Sequence, residues 1–175
     1  MTTFPDLKQV PHGYEGRTGA RLAAIQALFQ IEQSNNRSTD VVLEFLEHRL
    51  NQDNSTIDLD HDNITIPIDK NFFSTLVRGA VQEQDIIDEM ITSCLAQGWA
   101  LDRIESVIRS ILRVAAFELK ELKSIPAAVI INEYIDLTKS FYETKEASFV
   151  NGILDQLTKI LRKGTDPRLP VKEDQ

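Results

Sequence analysis

The sequence predicts an all-α protein, a compact helical bundle of about six to seven helices. Apolar residues recur at three- and four-residue spacing through most of residues 20–161, which is the period of an amphipathic helix. Turn-forming residues are few, with seven glycines and six prolines among 175 residues. Aromatic residues make up only 7% of the chain. This composition disfavours sandwiches and barrels, which need many turns and strands rich in β-branched or aromatic residues.

The first helix is predicted from Ala20, where the apolar period begins. Residues 1–18 contain two prolines, two glycines and no apolar period, so we expect a flexible amino-terminal arm. A second helix is expected after the N-cap candidates Ser38, Thr39 and Asp40.

Residues 51–68 interrupt the helical pattern, and they predict a long surface loop because they are polar, β-branched and acidic. The aspartates at every second position from 58 to 62 resemble the first ligands of an EF-hand. However, Asn63 stands where that loop requires glycine, and Asp69 stands where it requires a bidentate glutamate. A solvated acidic loop is therefore favoured over a calcium site.

Four further helices are predicted from apolar stripes at helical spacing. They span about residues 69–94, 101–121, 127–141 and 145–162. Asp69 is a candidate N-cap for the first of these, and Pro126 is placed to open the third. Trp99, just before the second, is expected to be a core anchor. The helical domain is thus expected over residues 19–163, with residues 164–175 as a disordered tail.

Charge and cysteine content favour a cytoplasmic protein. The net charge is −8, but residues 31–70 hold nine acidic and three basic side chains, which leaves the first helix free to present positive charge. The single cysteine, Cys94, is expected to be a buried structural thiol, and it suits a reducing compartment. No signal-peptide pattern occurs at the amino terminus, and no apolar run reaches the roughly 18 residues of a membrane span.

Catalytic, metal and cofactor sites are not indicated. The three histidines, His12, His48 and His61, have no second ligand at metal-like spacing. Neither a Gly-rich phosphate loop after a strand nor a Gly-x-Ser-x-Gly turn is present. Acidic residues between 85 and 89 indicate a solvated helix face. We therefore expect a protein that binds partners and is not an enzyme.

Three separated motifs resemble those of the transcription antitermination factor NusB family. The first is Arg17-x3-Arg21 followed by LAAIQALFQ. The second is Trp99-x-Leu-Asp-x-Ile, and the third runs from LRVAAFEL at 112–119 through IPAAVIINEYIDLTK to FVNGILD at 149–155. The resemblance covers about residues 17–162 in matching order. It implies an all-α fold of two packed helical subdomains.

The resemblance also implies function and partners. Members of the family bind the boxA element of ribosomal-RNA leader transcripts, with a small-subunit ribosomal protein, NusE, as heterodimer partner. That complex joins RNA polymerase and suppresses premature termination. Some members self-associate through the RNA surface, so a homodimer is an open alternative for the oligomeric state.

Five residues are candidates for RNA binding, namely Arg17, Arg21, Arg113, Lys145 and Phe149. The resemblance implies all of them except Lys145, which is a candidate because it lies one helical turn before Phe149. Arginine and lysine suit phosphates, and an aromatic ring suits base stacking. Structural alternatives stay open for the other four: solvated arginines at the helix start, core packing of Phe149, or an ion pair of Arg113, for example with Glu118. The motif pairs Asn132-Glu133 and Asn151-Gly152 are expected to serve helix packing.

Two other functions compete with antitermination. One is a NusB-like RNA-recruitment domain related to rRNA cytosine methyltransferases, which carry a separate α/β domain. The other is a helical adaptor that has lost RNA binding, because Thr18 and Gly19 thin the arginine-rich motif of the family.

Overall fold

The computed structural model describes residues 16–34, 36–51, 56–59 and 64–163. The predicted arm up to residue 15 and the predicted tail from residue 164 lie outside these described residues. Contacts divide the described chain after Gln82 into two compact units. We call residues 16–82 the amino-terminal unit and residues 83–163 the carboxy-terminal unit.

Seven α-helices occur within the described residues, which confirms the all-α prediction. They are α1 (Arg17–Ser34), α2 (Ser38–Glu44), α3 (Lys70–Gln82), α4 (Gln84–Ser93), α5 (Ser106–Glu121), α6 (Ala127–Phe141) and α7 (Thr144–Leu161). A π-helical turn, Phe45–Arg49, follows α2, and a 3-10 turn, Leu101–Arg103, precedes α5.

Two helix boundaries differ from the sequence prediction. Helix α1 begins at Arg17, three residues before Ala20. The helix expected over 69–94 is divided at Glu83, whose backbone torsions of φ −103° and ψ 15° leave the α-helical region. Glu83 carries no strong breaker, so the apolar period could not place that boundary, whereas α1 begins directly after Gly16, before the apolar period starts. The predicted cap is confirmed, because Asp69 Oδ1 accepts a hydrogen bond from the Phe72 amide at 2.9 Å.

The long loop expected over 51–68 is wrong for its described part. Strands β1 (Leu50–Asn51), β2 (Thr56–Leu59) and β3 (Ile64–Pro67) form a small antiparallel sheet in the order β1-β2-β3. In its register Leu50 pairs with Ile57, which in turn pairs with Ile66. β-Branched residues in TIDL and ITIP favour extended backbone, and this local preference prevails over the polar composition.

The amino-terminal unit is built on the packing of α1 against α3, with α2 contacting both. Its core centres on fully buried Leu22, Ile25, Phe45, Phe73 and Leu76. The rings of Phe45 and Phe73 stack with their centroids 5.7 Å apart. Burial of such side chains supplies most of the stabilisation of a small helical unit.

The carboxy-terminal unit surrounds α5, which contacts α4, α6 and α7. Every residue of α5 from Ser110 to Leu119 is buried. Its buried carboxylate, Glu118, accepts a hydrogen bond from the Tyr134 hydroxyl at 2.7 Å. A buried carboxylate is costly without such a partner, so this bond lets α5 carry an acidic residue in the core.

Arg162, just after α7, ties the connection between α5 and α6 to the end of α7. Its guanidinium donates hydrogen bonds to the carbonyls of Leu119 at 3.0 Å, Leu122 at 3.1 Å and Ile125 at 2.6 Å. These carbonyls lie at the end of α5 and in the following turn, where the helix leaves acceptors unsatisfied. Arg162 is only 7% exposed, so it acts as a structural cap.

Trp99 contradicts its predicted role as a core anchor. Trp99 is 57% exposed and lies beside Leu101 in an open groove that Asp102 and Glu89 also line. Trp99 follows Gly98, whose φ of 85° turns the connecting segment between α4 and the 3-10 turn. Outside a helix no apolar period fixes the direction of a side chain, so residue type alone misjudged its burial. Cys94 is buried as predicted.

Candidate nucleic-acid interface

Gly16 fixes the start of α1 beside the start of α3. Its carbonyl accepts hydrogen bonds from the Ala20 amide at 2.9 Å and the Asp69 amide at 3.0 Å. The φ of Gly16 is 90°, and a Cβ there would lie 2.5 Å from Asp69 N. Only glycine tolerates both the torsion and the close approach. The backbone thus sets where the two arginines of α1 point.

Arg17 and Arg21 lie on one face of α1, over the ring of Phe72. The guanidinium carbons are 5.1 Å and 5.2 Å from the ring centroid, within the range of a cation–π contact. Phe72 is a residue that the sequence reasoning missed. No local signal could have identified it, because the contact joins positions about fifty residues apart.

Burial distinguishes the two arginines. Arg21 is only 3% exposed, whereas Arg17 is half-buried. A phosphate can bind only to an accessible guanidinium. Arg17 can therefore contact a ligand, whereas the buried Arg21 packs against Phe72 beneath the surface. The alternative of two solvated arginines is wrong for Arg21.

Arg113 forms a two-pronged ion pair with Asp88 of α4. Its Nε lies 2.8 Å from Asp88 Oδ1, and its second terminal nitrogen lies 2.9 Å from Oδ2. The Arg113 side chain is 10% exposed. The ion-pair alternative is therefore realised, with Asp88 as a partner. Asp88 correspondingly departs from the solvated helix face expected for residues 85–89.

Helix α7 carries the other two candidates. Lys145 is exposed in the first turn, and Phe149 is half-buried one turn later on the same face. Phe149 fits neither base stacking alone nor core packing alone, because the residue is partly buried and partly accessible. Its ring remains available for a stacking contact.

Gly152 and Asn132 do not serve the packing role expected of them. Both residues are exposed. A Cβ built on Gly152 meets nothing within 4 Å, so no neighbouring helix approaches there. The packing role predicted for this glycine is therefore wrong.

The candidates therefore form two groups. The amino-terminal unit joins Arg17 and Arg21 through Phe72, and the carboxy-terminal unit places Lys145 and Phe149 together on α7. Arg113 belongs to neither group, because its guanidinium is held by Asp88.

Other kinds of site find little support in the part of the chain that the structure describes. Within it, no three His, Cys, Asp or Glu side chains are clustered for a metal ion. His48 is exposed, while His12 and His61 lie outside the described residues. None of the described helices combines the length and apolarity needed to cross a membrane. Burial raises the pKa of the Cys94 thiol, which disfavours its reactive thiolate.

Comparison with known proteins gives consistent matches in sequence and in fold. The profile of the NusB family matches residues 18–159. Transcription antitermination protein NusB of Sinorhizobium fredii is 41% identical over 162 residues, which cover 93% of this chain and 97% of that protein. The structure of T. maritima NusB is 31% identical with a TM-score of 0.65, covering 82% of this chain and 90% of its own. A crystal structure of the antitermination factors NusB and NusE in complex with dsRNA is 26% identical with a TM-score of 0.66, covering 82% of this chain and 96% of that one.

Proposed function

This chain belongs to the NusB family, and from that premise we propose that it is a transcription antitermination factor. It binds the boxA element of ribosomal-RNA leader transcripts together with NusE, and the pair joins the RNA polymerase antitermination complex in the cytoplasm. The observation that carries the proposal is the match to a named antitermination protein over 97% of that protein's length. The solved complex of NusB and NusE with dsRNA supports NusE and an RNA as partners.

The role is one of binding and not of catalysis. In the amino-terminal unit we propose that Arg17 contacts a phosphate, and in the carboxy-terminal unit that Lys145 contacts a phosphate and Phe149 stacks on a base. Arg21 and Arg113 are positioning residues, since one is 3% exposed and the other is held by Asp88. Of the five candidates, three are thus proposed to contact RNA and two to position their neighbours.

The methyltransferase-related alternative has weaker support. The matched relatives are antitermination proteins, and the match covers most of each of them. An adaptor without RNA binding is the competitor that experiment must exclude, because only Arg17 of the two motif arginines is accessible.

A titration with labelled boxA RNA tests the proposal. The protein is measured alone and at saturating NusE, at several salt concentrations, with a scrambled RNA of equal length as control. We expect sequence-selective binding that tightens when NusE is present and weakens as salt rises. Formation of the NusE heterodimer without any preference for boxA would leave the adaptor as the function.

A further inference from the structure

Lys123 and Arg162 join the same two segments in opposite directions. The Lys123 amine, in the connection between α5 and α6, donates a hydrogen bond to the Leu161 carbonyl at the end of α7, at 2.9 Å. Arg162, directly after α7, donates in return to the Leu122 and Ile125 carbonyls of that connection. We call this pair of crossed side chains the Lys123–Arg162 clasp. It supplies donors to carbonyls that have no helical partner.

The clasp brings two cationic groups close together. A guanidinium stays protonated in proteins, so only the amine can relieve the repulsion by losing a proton. Partial burial of the amine and the neighbouring Arg162 guanidinium lower the pKa of Lys123. The Lys120 charge acts in the same direction, and the Glu121 carboxylate acts in the opposite one. A larger fraction of the Lys123 amine is therefore neutral near pH 7 than in an isolated lysine.

The geometry of the clasp leaves this amine open to a reagent. Lys123 is exposed, whereas Arg162 is only 7% exposed. One N–H bond of the amine points at the Leu161 carbonyl oxygen, so the lone pair of the neutral amine points away from that oxygen. An adjacent cationic group is one of the ways in which proteins activate a lysine as a nucleophile. Lys123 therefore combines access, orientation and activation.

We propose that Lys123 is a site of acylation by small acyl phosphates, and that acylation removes its cation from the end of α7. The amine lone pair attacks the carbonyl carbon of the donor, which forms a nitrogen–carbon bond. The carbon–oxygen bond to the phosphate then breaks, inorganic phosphate leaves, and the nitrogen releases its proton to solvent. This modification goes beyond the proposed function, because it requires neither RNA nor NusE.

Acylation changes what holds the end of α7. The ammonium group has three donors and a positive charge, whereas the acylated nitrogen has one N–H and no charge. A cation near the carboxy-terminal end of a helix interacts favourably with the helix dipole, and this interaction is lost. Of the two crossed side chains, only Arg162 then remains as a charged donor. We expect the last turn of α7 to open more often in the acylated protein.

Acetyl phosphate is the probe for the reaction. The full-length protein is incubated with it, and mass spectrometry gives the initial rate of acetylation at each lysine. We expect Lys123 to react about fivefold faster than Lys139 and Lys163, two exposed lysines of the same unit, because more of its amine is neutral. Its rate should also level off at a lower pH than theirs. Equal rates at the three lysines would overturn the proposal.

Two controls separate the clasp from the local sequence and from the choice of donor. In protein unfolded by urea the clasp is absent, so the preference for Lys123 should disappear. A preference that survived unfolding would belong to the sequence around Lys123 and would overturn the structural argument. Acetic anhydride is the uncharged donor. A preference for Lys123 with the anhydride but none with acetyl phosphate would overturn acyl phosphates as the donor class.

Two substitutions test the consequence for α7. Lys123→Gln removes the charge as acylation does, whereas Lys123→Arg keeps a charged donor that acetyl phosphate does not modify. Hydrogen exchange is followed at the Arg162 amide, which donates to the Thr158 carbonyl at 2.9 Å in the last turn of α7. We expect exchange about fivefold faster in Lys123→Gln and unchanged in Lys123→Arg. Unchanged exchange in both variants would overturn the loosening of α7.

Discussion

The two units treat their positive charges in opposite ways. In the amino-terminal unit both motif arginines pack over the buried ring of Phe72, and one of them, Arg21, is almost fully buried. In the carboxy-terminal unit the buried Arg113 and Arg162 are held by Asp88 and by backbone carbonyls, whereas Lys145 and Lys159 are exposed on α7. The comparison teaches that a basic residue in a motif contacts a ligand only if burial leaves it accessible.

The largest effect is expected at Arg162. Arg162→Met should lower the free energy of unfolding by about 4 kcal/mol, because the Leu119 and Ile125 carbonyls lose their charged donor and each unpaired group costs about 1–3 kcal/mol. Native-state hydrogen exchange should show the loss in α5 to α7 and not in α1 and α3. Lys163→Met, an exposed neighbour, is the control. Equal loss of protection in both units would contradict their separation.

Arg113 comes next. Arg113→Ala should cost about 2 kcal/mol, since it strands the partly buried carboxylate of Asp88. The salt dependence of RNA binding by the folded variant should stay that of the wild type, because no phosphate contact is lost. Arg103→Ala, an exposed site in the same unit, should be neutral. If RNA binding by Arg113→Ala had a reduced salt slope and the stability were unchanged, Arg113 would be a phosphate-contacting residue.

The two motif arginines sharpen the comparison within one unit. Arg21→Gln should cost about 2 kcal/mol of stability, the size of a desolvated cation–π contact, while Arg17→Gln should cost less than about 0.5 kcal/mol. In RNA titrations the order reverses, and Arg17→Gln should lose about 0.7 unit of salt slope. Thermal melting and titration of both variants check this. Identical behaviour of the two would show that burial does not separate their roles.

Phe149 tests the open face of α7. Phe149→Ala should weaken RNA binding about tenfold without changing the salt slope, because stacking contributes about 1–3 kcal/mol per base and involves no phosphate. Its stability loss should stay below the roughly 3–5 kcal/mol typical of a fully buried ring, for which Phe73→Ala is the reference. A variant as unstable as Phe73→Ala that binds RNA normally once folded would make Phe149 a core residue only.

The smallest effect is expected at Trp99. As the single tryptophan of the chain, it should emit at the long wavelength of a solvated indole and be readily quenched by acrylamide. Trp99→Ala should change stability by no more than about 0.5 kcal/mol, as at other exposed positions. Blue-shifted emission protected from acrylamide would place the ring back in a core.

Helices were predictable where one face is continuously apolar, as in α5 and α7, because burial imposes the 3.6-residue period directly on the sequence. The break at Glu83, the small sheet and the exposure of Trp99 were not predictable in this way. Each depends on local backbone torsions or on a connecting segment without a period. The burial of Arg21 depends on Phe72, which only the packing of α3 on α1 brings near.

The carbonyls held by Arg162 also bear on the order in which the protein acquires its structure. A ribosome makes the chain from its amino terminus, and domains generally fold in that order as they emerge. All described residues of the amino-terminal unit exist before α4 has been made, so its core can close early. The end of α5, in contrast, can be capped only after Arg162 has been synthesised, more than forty residues after Leu119. During that interval the Leu119 and Ile125 carbonyls lack the Arg162 guanidinium and have only water as a donor, so the end of α5 is completed later than α1.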